Sequence, residues 1–188
     1  MNNRMEGVIA YYYSMRLKHA KIVIPGDPVQ WARTRTSASG ARFTPIEQRK
    51  YKERVQKIAR PIFRSAWSGP VGINVVAAFR IPTSWPKWRR AAAEQRLIRP
   101  ETYPDQDNIL KMIMDSLNGI AYHDDRQCVM GKIDKIYGKE PKVEAELIFY
   151  PTLTYDLFRR FKKEVSGSPD NRPLIEIVKS VLEASDEV

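Results

Sequence analysis

An unusual concentration of aspartates lies between residues 104 and 125 of an otherwise basic chain. Asp105 and Asp107 stand two positions apart in a segment expected to be extended, so their side chains point to the same side. From Asp107 onward the spacing becomes helical, because Asp107, Lys111 and Asp115 recur at every fourth position. Side chains at that interval share one face of a helix.

These residue types suit phosphodiester hydrolysis. Mg²⁺ takes oxygen ligands, commonly one or two carboxylates together with substrate phosphates. Such an ion activates water and stabilises charge on the attacking and leaving oxygens. Lys111, one helical turn after Asp107, is placed to contact the scissile phosphate.

The spacing alone is equally compatible with structural roles. In that interpretation Asp107 is only a helix cap, and Lys111 forms an ion pair with a carboxylate four positions away. Asp115 is then a solvated residue, and Asp124 with Asp125 forms a turn before a strand. An EF-hand calcium loop is excluded, because its oxygen-ligand and glycine positions fall on apolar residues.

A helix predicted over Asn108–Leu117 positions the aspartates. Its opposite face is apolar and is expected to be buried, which gives the polar face a rigid base. The apolar residues of that face are Ile109, Leu110, Ile113, Met114 and Leu117. Gly119 suits the left-handed backbone position that follows a helix end.

The remaining pattern predicts an α+β core followed by a helical appendage. The predicted strands are Lys21–Ile24, Gly72–Ile81, Val129–Tyr137 and Lys142–Tyr150, with the last two joined across Gly138–Pro141 as a pair. The other predicted helices are one from Thr44-Pro45 to about Arg60, Ala91–Leu97, Tyr155–Val165 and Leu174–Leu182. Thr44 is expected to cap the first of these, with Glu47 completing a capping box. Residues 1–20 show no clear period and are expected to be partly disordered.

The net charge of +10 favours a polyanionic partner, because neutralising phosphates releases condensed counterions. A single cysteine, Cys128, excludes an intrachain disulfide framework and a multi-cysteine zinc site. His19 and His123 are too few and too far apart for a histidine-rich metal site. No apolar run approaches the length of a membrane span, so we expect a soluble, cytoplasmic protein.

Two segments are candidate DNA contacts. Arg33, Arg35 and Arg42 lie in a polar stretch predicted to be an exposed loop, from Val29 to Phe43, and are candidates to clamp phosphates. The second segment is a predicted loop over residues 82–90, with candidate DNA contacts Lys87, Arg89 and Arg90 beside Trp85 and Trp88. Solvated basic side chains are the alternative for the first segment. The two tryptophans are candidates to stack on exposed bases, and packing or dimer contact is the favoured alternative for them.

The aspartate pattern as a whole resembles the RusA-type Holliday junction resolvases, also called crossover junction endodeoxyribonucleases. The motif residues here are Pro104, Asp105, Asp107, Asn108, Lys111, Asp115 to Gly119, Asp124, Asp125 and Gln127. A Gly-x-Pro turn, an arginine-rich loop and a Thr-Pro helix precede them as in the family, at Gly26, Pro28, Arg33, Arg35, Thr44 and Pro45. The resemblance covers about residues 21–150.

The resemblance implies a mixed sheet with helices packed on it, and a homodimer of bacterial or phage origin acting in DNA recombination and repair. Such enzymes resolve four-way junctions by paired symmetric nicks, using Mg²⁺ or Mn²⁺. The family's metal-binding carboxylates fall on Asp105, Asp107 and Asp125, and its catalytic lysine on Lys111. Asp115 and Asp124 are secondary acidic candidates.

Small departures and two further hypotheses remain. Ser116 stands where the family usually has alanine, and His123 where an apolar residue is usual.

The expected organisation is an N-terminal extension (1–20), a RusA-like endonuclease domain (21–150) and a C-terminal helical extension (151–188). The alternatives are an endonuclease on other branched or flapped DNA, and a non-catalytic DNA-binding protein with a structural acidic cluster.

Overall fold

The computed structural model describes residues 3–33, 35–36, 42–169 and 171–183, with the backbone alone for 35–36 and 42–43. The chain divides into two compact units. The sheet unit is His19–Ile148, and the helical unit combines Met1–Lys18 with Phe149–Val188.

The sheet unit is built on a four-stranded mixed sheet. Its strands are β1 (Lys18–Pro25), β4 (Val71–Arg80), β5 (Cys128–Gly138) and β6 (Lys142–Phe149). They lie in the order β1-β6-β4-β5, and β4 runs parallel to β5. A separate antiparallel pair is formed by β2 (Arg35–Thr36) and β3 (Arg42–Phe43), within the stretch predicted to be a loop.

The predicted pairing of the last two strands is wrong, because β4 lies between β5 and β6. Strand β4 is the most apolar of the sheet, with Ile73 and Ala77 fully buried, and takes an inner position. Residues 139–141 therefore connect strands two spacings apart, about 10 Å. A few extended residues span that distance.

Three helices belong to the sheet unit. They are α2 (Ile46–Ala59), α3 (Lys87–Glu94) and α4 (Gln106–Leu117). Helix α4 packs against both α2 and β5. Its buried face consists of Ile109, Met112, Ile113, Ser116 and Leu117, whereas Leu110 and Met114 are only half-buried. The apolar face predicted for this helix is confirmed in its centre and is rotated slightly toward Met112.

Two helix starts differ from the prediction. Pro45, rather than Thr44, is the N-cap residue of α2, and no side chain caps the helix, so the predicted capping box is wrong. The extended ψ of Pro45, 137°, keeps this proline outside the helix. Helix α3 begins at Lys87 instead of Ala91, because Pro86 occupies its N-cap with an extended ψ of 153°.

The helical unit contains α1 (Asn3–Arg16), α5 (Tyr155–Gly167) and α6 (Leu174–Glu183). The predictions of α5 and α6 are confirmed, and residues 3–16 form a helix where we expected partial disorder. Both other helices pack against α1, whose buried residues Met5, Val8 and Tyr12 share one face. The partly buried apolar residues Ile9, Tyr11 and Tyr13 lie beside them and obscure the helical period in the sequence. The core residues of this unit are Met5, Val8, Tyr12, Phe161, Ile177, Val178 and Val181. Of the helices that the structure describes, none has the length and apolar character needed to span a membrane.

Replacing Gly119 by alanine tests the end of α4. Gly119 has a φ of +72°, as predicted for the residue after this helix, and alanine is strained there although no atom lies within 4 Å of its Cβ position. We expect Gly119→Ala to lower the free energy of unfolding by about 1–2 kcal/mol in urea denaturation. Gly167→Ala is the control, because a Cβ there also meets nothing within 4 Å and the helical backbone tolerates it. An equal loss of stability in both variants would contradict the role of the left-handed backbone.

Candidate active site

The first two aspartates of the motif stand at the start of α4. Asp105 is the N-cap residue, with φ −69° and ψ 151°, but its side chain makes no capping hydrogen bond. Asp107 lies in the first helical turn and is exposed, so it is not the cap. In the part of the chain that the structure describes, neither carboxylate has a hydrogen bond or an ion pair. The partial positive charge of a helix N-terminus favours negative charge at this place.

Strand β5 holds the backbone that enters α4. Lys135 Nζ donates hydrogen bonds to the carbonyl oxygens of Thr102, at 2.5 Å, and Pro104, at 2.9 Å. Beside it, Arg99 Nη1 lies 2.6 Å from Asp134 Oδ1. The segment before Asp105 is therefore tied to the sheet by a lysine that the sequence did not single out. A lysine in a basic strand carries no signal of such a role.

Lys111 lies over an aromatic ring. Its Nζ is 4.4 Å from the centre of the Trp31 ring, a cation–π contact that restricts where the ammonium group points. Trp31 is itself fixed, because its backbone N–H donates to Asn108 O at 2.9 Å. The next residue, Ala32, donates its N–H to Gln48 Oε1 of α2 at 3.1 Å. The sequence analysis did not identify Trp31 as a site residue. The one sequence feature that marks it is that a tryptophan stands within a basic loop.

The structure brings Asp115, in the last turn of α4, next to Asp125. The pKa of Asp115 is raised, first by burial and further by the negative charge of Asp125. Lys111 and Lys52 act in the opposite direction. Two neighbouring carboxylates repel each other unless a proton or a cation lies between them.

Asp124 has a different environment from Asp125. Its Oδ1 accepts hydrogen bonds from Arg126 N at 2.9 Å and Arg126 Nε at 2.7 Å, and these bonds lower the pKa of Asp124. It caps the short 3-10 helix Asp125–Gln127, in which the Gln127 side chain bonds back to the Asp124 N–H. The Asp124 carboxylate is thus used by the turn, and Asp125 is the member of the pair that faces Asp115.

Gln127 anchors this turn to the segment that precedes β4. Its amide nitrogen donates to Trp67 O at 2.9 Å and to Gly69 O at 2.8 Å. Its amide oxygen accepts from the backbone N–H groups of His123 and Asp124. The His123 side chain is exposed. The buried Ser116 hydroxyl donates to Met112 O at 2.6 Å, so this departure from alanine adds a polar group that has a partner.

The donor atoms fit a hard divalent cation, although the described residues contain no group of three His, Cys, Asp or Glu side chains assembled to hold a metal ion. Asp105, Asp107, Asp115 and Asp125 offer only carboxylate oxygens, which are Mg²⁺ ligands. Mg²⁺ keeps several waters and needs only one or two protein carboxylates beside substrate phosphates. A cation would also offset the repulsion between Asp115 and Asp125.

The candidate DNA contacts are partly exposed and partly engaged. Arg33 is exposed, while the side chains of Arg35 and Arg42 lie outside the described residues. Lys87, Arg89 and Arg90 are exposed on α3. The Arg89 guanidinium stacks 3.8 Å from the centre of the Trp85 ring, and that ring packs edge-on against Tyr137. Trp88, in contrast, is 69% exposed.

The sheet unit carries the match to known proteins. The model of the family described as endodeoxyribonuclease RusA matches residues 25–148. The chain belongs to the RusA family. It is also 35% identical over 133 residues to uncharacterized protein YqaN of Bacillus subtilis (strain 168), an alignment that covers 66% of this chain and 92% of that protein. The α+β fold and the RusA resemblance predicted from sequence are both confirmed.

Membership of the RusA family indicates nuclease activity on DNA. The matched residues include every motif aspartate, Lys111 and its neighbour Trp31. Helices α1, α5 and α6 lie outside the match.

Stability against pH tests the environments of Asp115 and Asp124. Because the pKa of Asp115 is raised on folding, its ionised form disfavours the folded state at neutral pH. We expect Asp115→Asn to be more stable than the wild type at pH 7 in metal-free buffer. The gain should disappear as the pH falls through the raised pKa toward the ordinary value of 3.8. Urea denaturation between pH 7 and pH 3.5 measures it.

Asp124→Asn is the matched control and should show the opposite sign. The lowered pKa of Asp124 means that its ionised form favours the folded state, so this variant loses stability at pH 7. That loss should fade as the pH falls below 3.8. A destabilised Asp115→Asn variant at pH 7 would contradict the assigned environment.

Proposed function

We propose that the chain is a divalent-metal-dependent endodeoxyribonuclease that resolves four-way DNA junctions by paired symmetric nicks. We assign this activity to residues 21–150, with residues 1–20 and 151–188 as extensions. The observation that carries the proposal is the set of unpartnered carboxylates at the start of α4, on the helix that also carries Lys111 and, in its last turn, Asp115 beside Asp125.

In this proposal Asp105, Asp107 and Asp125 hold Mg²⁺, for which Mn²⁺ substitutes. The bound ion supplies an activated water and offsets negative charge at the scissile phosphate. Asp115 is the neighbour of Asp125 and serves as a secondary acidic candidate. Asp124 shapes the turn that presents Asp125, since its carboxylate is already hydrogen-bonded to Arg126.

Lys111 contacts a non-bridging oxygen of the scissile phosphate and stabilises the charge that develops there. Its ammonium group has an aromatic ring on one side. The N–H donors that point away from the ring stay available for phosphate oxygens. Lys111 shares a helix face with Asp107, four positions before it. The Trp31 ring restrains the Lys111 ammonium group on that face, and the hydrogen bond from Trp31 N–H to Asn108 O holds Trp31 in place.

Basic side chains of the sheet unit hold the junction arms by their phosphates. They are Arg33, Arg35, Arg42, Lys87, Arg89 and Arg90, as proposed from sequence. A homodimer places two such sites on symmetric strands, which suits the two-fold symmetry of a four-way junction. The exposed Trp88 ring is suited to stack on a base at the junction centre.

Cleavage by Asp125→Asn and Asp124→Asn variants tests the proposal. The substrates are a labelled four-way junction, a linear duplex and a flap of the same sequence, each with Mg²⁺ or with EDTA. We expect symmetric nicks in the junction alone, abolished by EDTA. Asp125→Asn should slow cleavage by about 100-fold or more, because removing even a residue that only supports a metal ligand costs about 10- to 100-fold. Asp124→Asn keeps one capping oxygen and should retain most of the activity.

Three results would change the proposal in different ways. Equal cutting of flaps would support the hydrolase chemistry, but the proposed function would then be cleavage of branched DNA in general instead of junction resolution. Junction binding without cutting under every metal tested would leave a DNA-binding protein with a structural acidic cluster. Equal losses in the two variants would contradict the distinct roles of the adjacent aspartates.

A further inference from the structure

Helix α5 carries a strongly basic face in the helical unit. Arg159, Lys162 and Lys163 recur with Tyr155 and Ser166 at positions that share one side of a helix, and all five are exposed. We call this set the α5 basic face. It lines an open depression of about 670 Å³, whose lining contains a single carboxylate, Asp156. The RusA family match ends before this helix.

The cations of this face have no ion-pair partner in the part of the chain that the structure describes. None of Arg159, Lys162 and Lys163 forms an ion pair with a carboxylate of the described residues. The one glutamate of the helix, Glu164, is engaged elsewhere, since it pairs with Arg172 and accepts a hydrogen bond from Ser180 Oγ at 3.2 Å. Arg172 accordingly lowers the pKa of Glu164. The Arg159 guanidinium lies 5.9 Å from the centre of the Tyr155 ring.

The other side of α5 is fixed in a core. Phe161 is fully buried, and Leu157, Phe158 and Val165 pack against the same cluster. Thr154 Oγ1 caps the helix by accepting from Leu157 N–H at 3.2 Å. Apart from Tyr155, which is 74% exposed, the outward side has no large exposed apolar residue that would insert into a membrane or dock in an apolar groove.

We propose that the α5 basic face binds the sugar–phosphate backbone of DNA without reading its sequence. Lysine and arginine on a helix supply such contacts, which position a protein on DNA but carry no sequence information. The face extends from Tyr155 to Ser166, about 16 Å at 1.5 Å per residue. Phosphates of one strand are spaced at about 3.4 Å along the duplex axis, so the face spans about four or five of them. The α5 basic face belongs to the helical unit and the motif aspartates to the sheet unit, and the proposal does not depend on which DNA structure the sheet unit cleaves.

DNA binding by an Arg159→Gln, Lys163→Gln double variant tests this surface. Fluorescence anisotropy with a labelled duplex is measured on the full chain in EDTA, between 50 and 300 mM salt. The matched control is Arg16→Gln, Lys179→Gln, which removes two exposed charges from the same unit outside the depression. We expect the α5 variant to bind roughly tenfold more weakly at 0.1 M salt, with a salt slope smaller by about 1.8. The control should change little.

Further measurements distinguish phosphate binding by this face from a general charge effect and from a membrane surface. Both variants should keep the far-ultraviolet circular dichroism and unfolding midpoint of the wild type, because only exposed side chains change. Arg159→Lys keeps the charge and should bind DNA nearly as well as the wild type. Equal weakening by the control would mean a general charge effect and would overturn the proposal. Unchanged DNA binding with lost binding to vesicles containing anionic lipid would also overturn it, in favour of a membrane surface.

Discussion

Burial of the apolar face of α4 is the interaction on which the site of the sheet unit depends. Asp115 and Asp125 come from different elements, and the fold holds them together although burial and like charge both raise the pKa of Asp115. Apolar packing supplies the force that keeps them there. Ile109, Ile113 and Leu117 are fully buried beneath α4, so the helix cannot rotate its polar face away without exposing them.

Contacts from neighbouring elements then restrain individual groups of the site. Gln127 fixes the turn of Asp125 to the segment before β4, and Lys135 fixes the backbone before Asp105 to β5. Trp31 restrains Lys111 from a loop that is bound to α2 through Ala32. Charged groups placed on rigid elements and held by such contacts are arranged before a substrate binds, which is the main requirement of electrostatic catalysis.

The local features of the site were predictable from sequence, and the long-range ones were not. The α4 helix, its buried face and the left-handed Gly119 follow from short-range periodicity and backbone preference. The contacts of Trp31 and Lys135 join residues far apart in the chain, and neither has a spacing that marks it. The insertion of β4 between β5 and β6 is of the same kind, because adjacent strands in sequence usually pair. Helix α1 was missed because partly buried apolar residues beside its buried face obscure the helical period.

The binding of one divalent cation by Asp105, Asp107 and Asp125 is tested most directly by anomalous scattering from Mn²⁺ in crystals of the full chain. The predicted result is a Mn²⁺ peak with an Asp125 oxygen and an oxygen of Asp105 or Asp107 among its ligands, at about 2.1 Å, a distance close to that of Mg²⁺. Asp124 should stay hydrogen-bonded to Arg126 and should not contact the ion. A peak on Asp124, or no peak at these aspartates in crystals that also contain DNA, would contradict the proposed metal site.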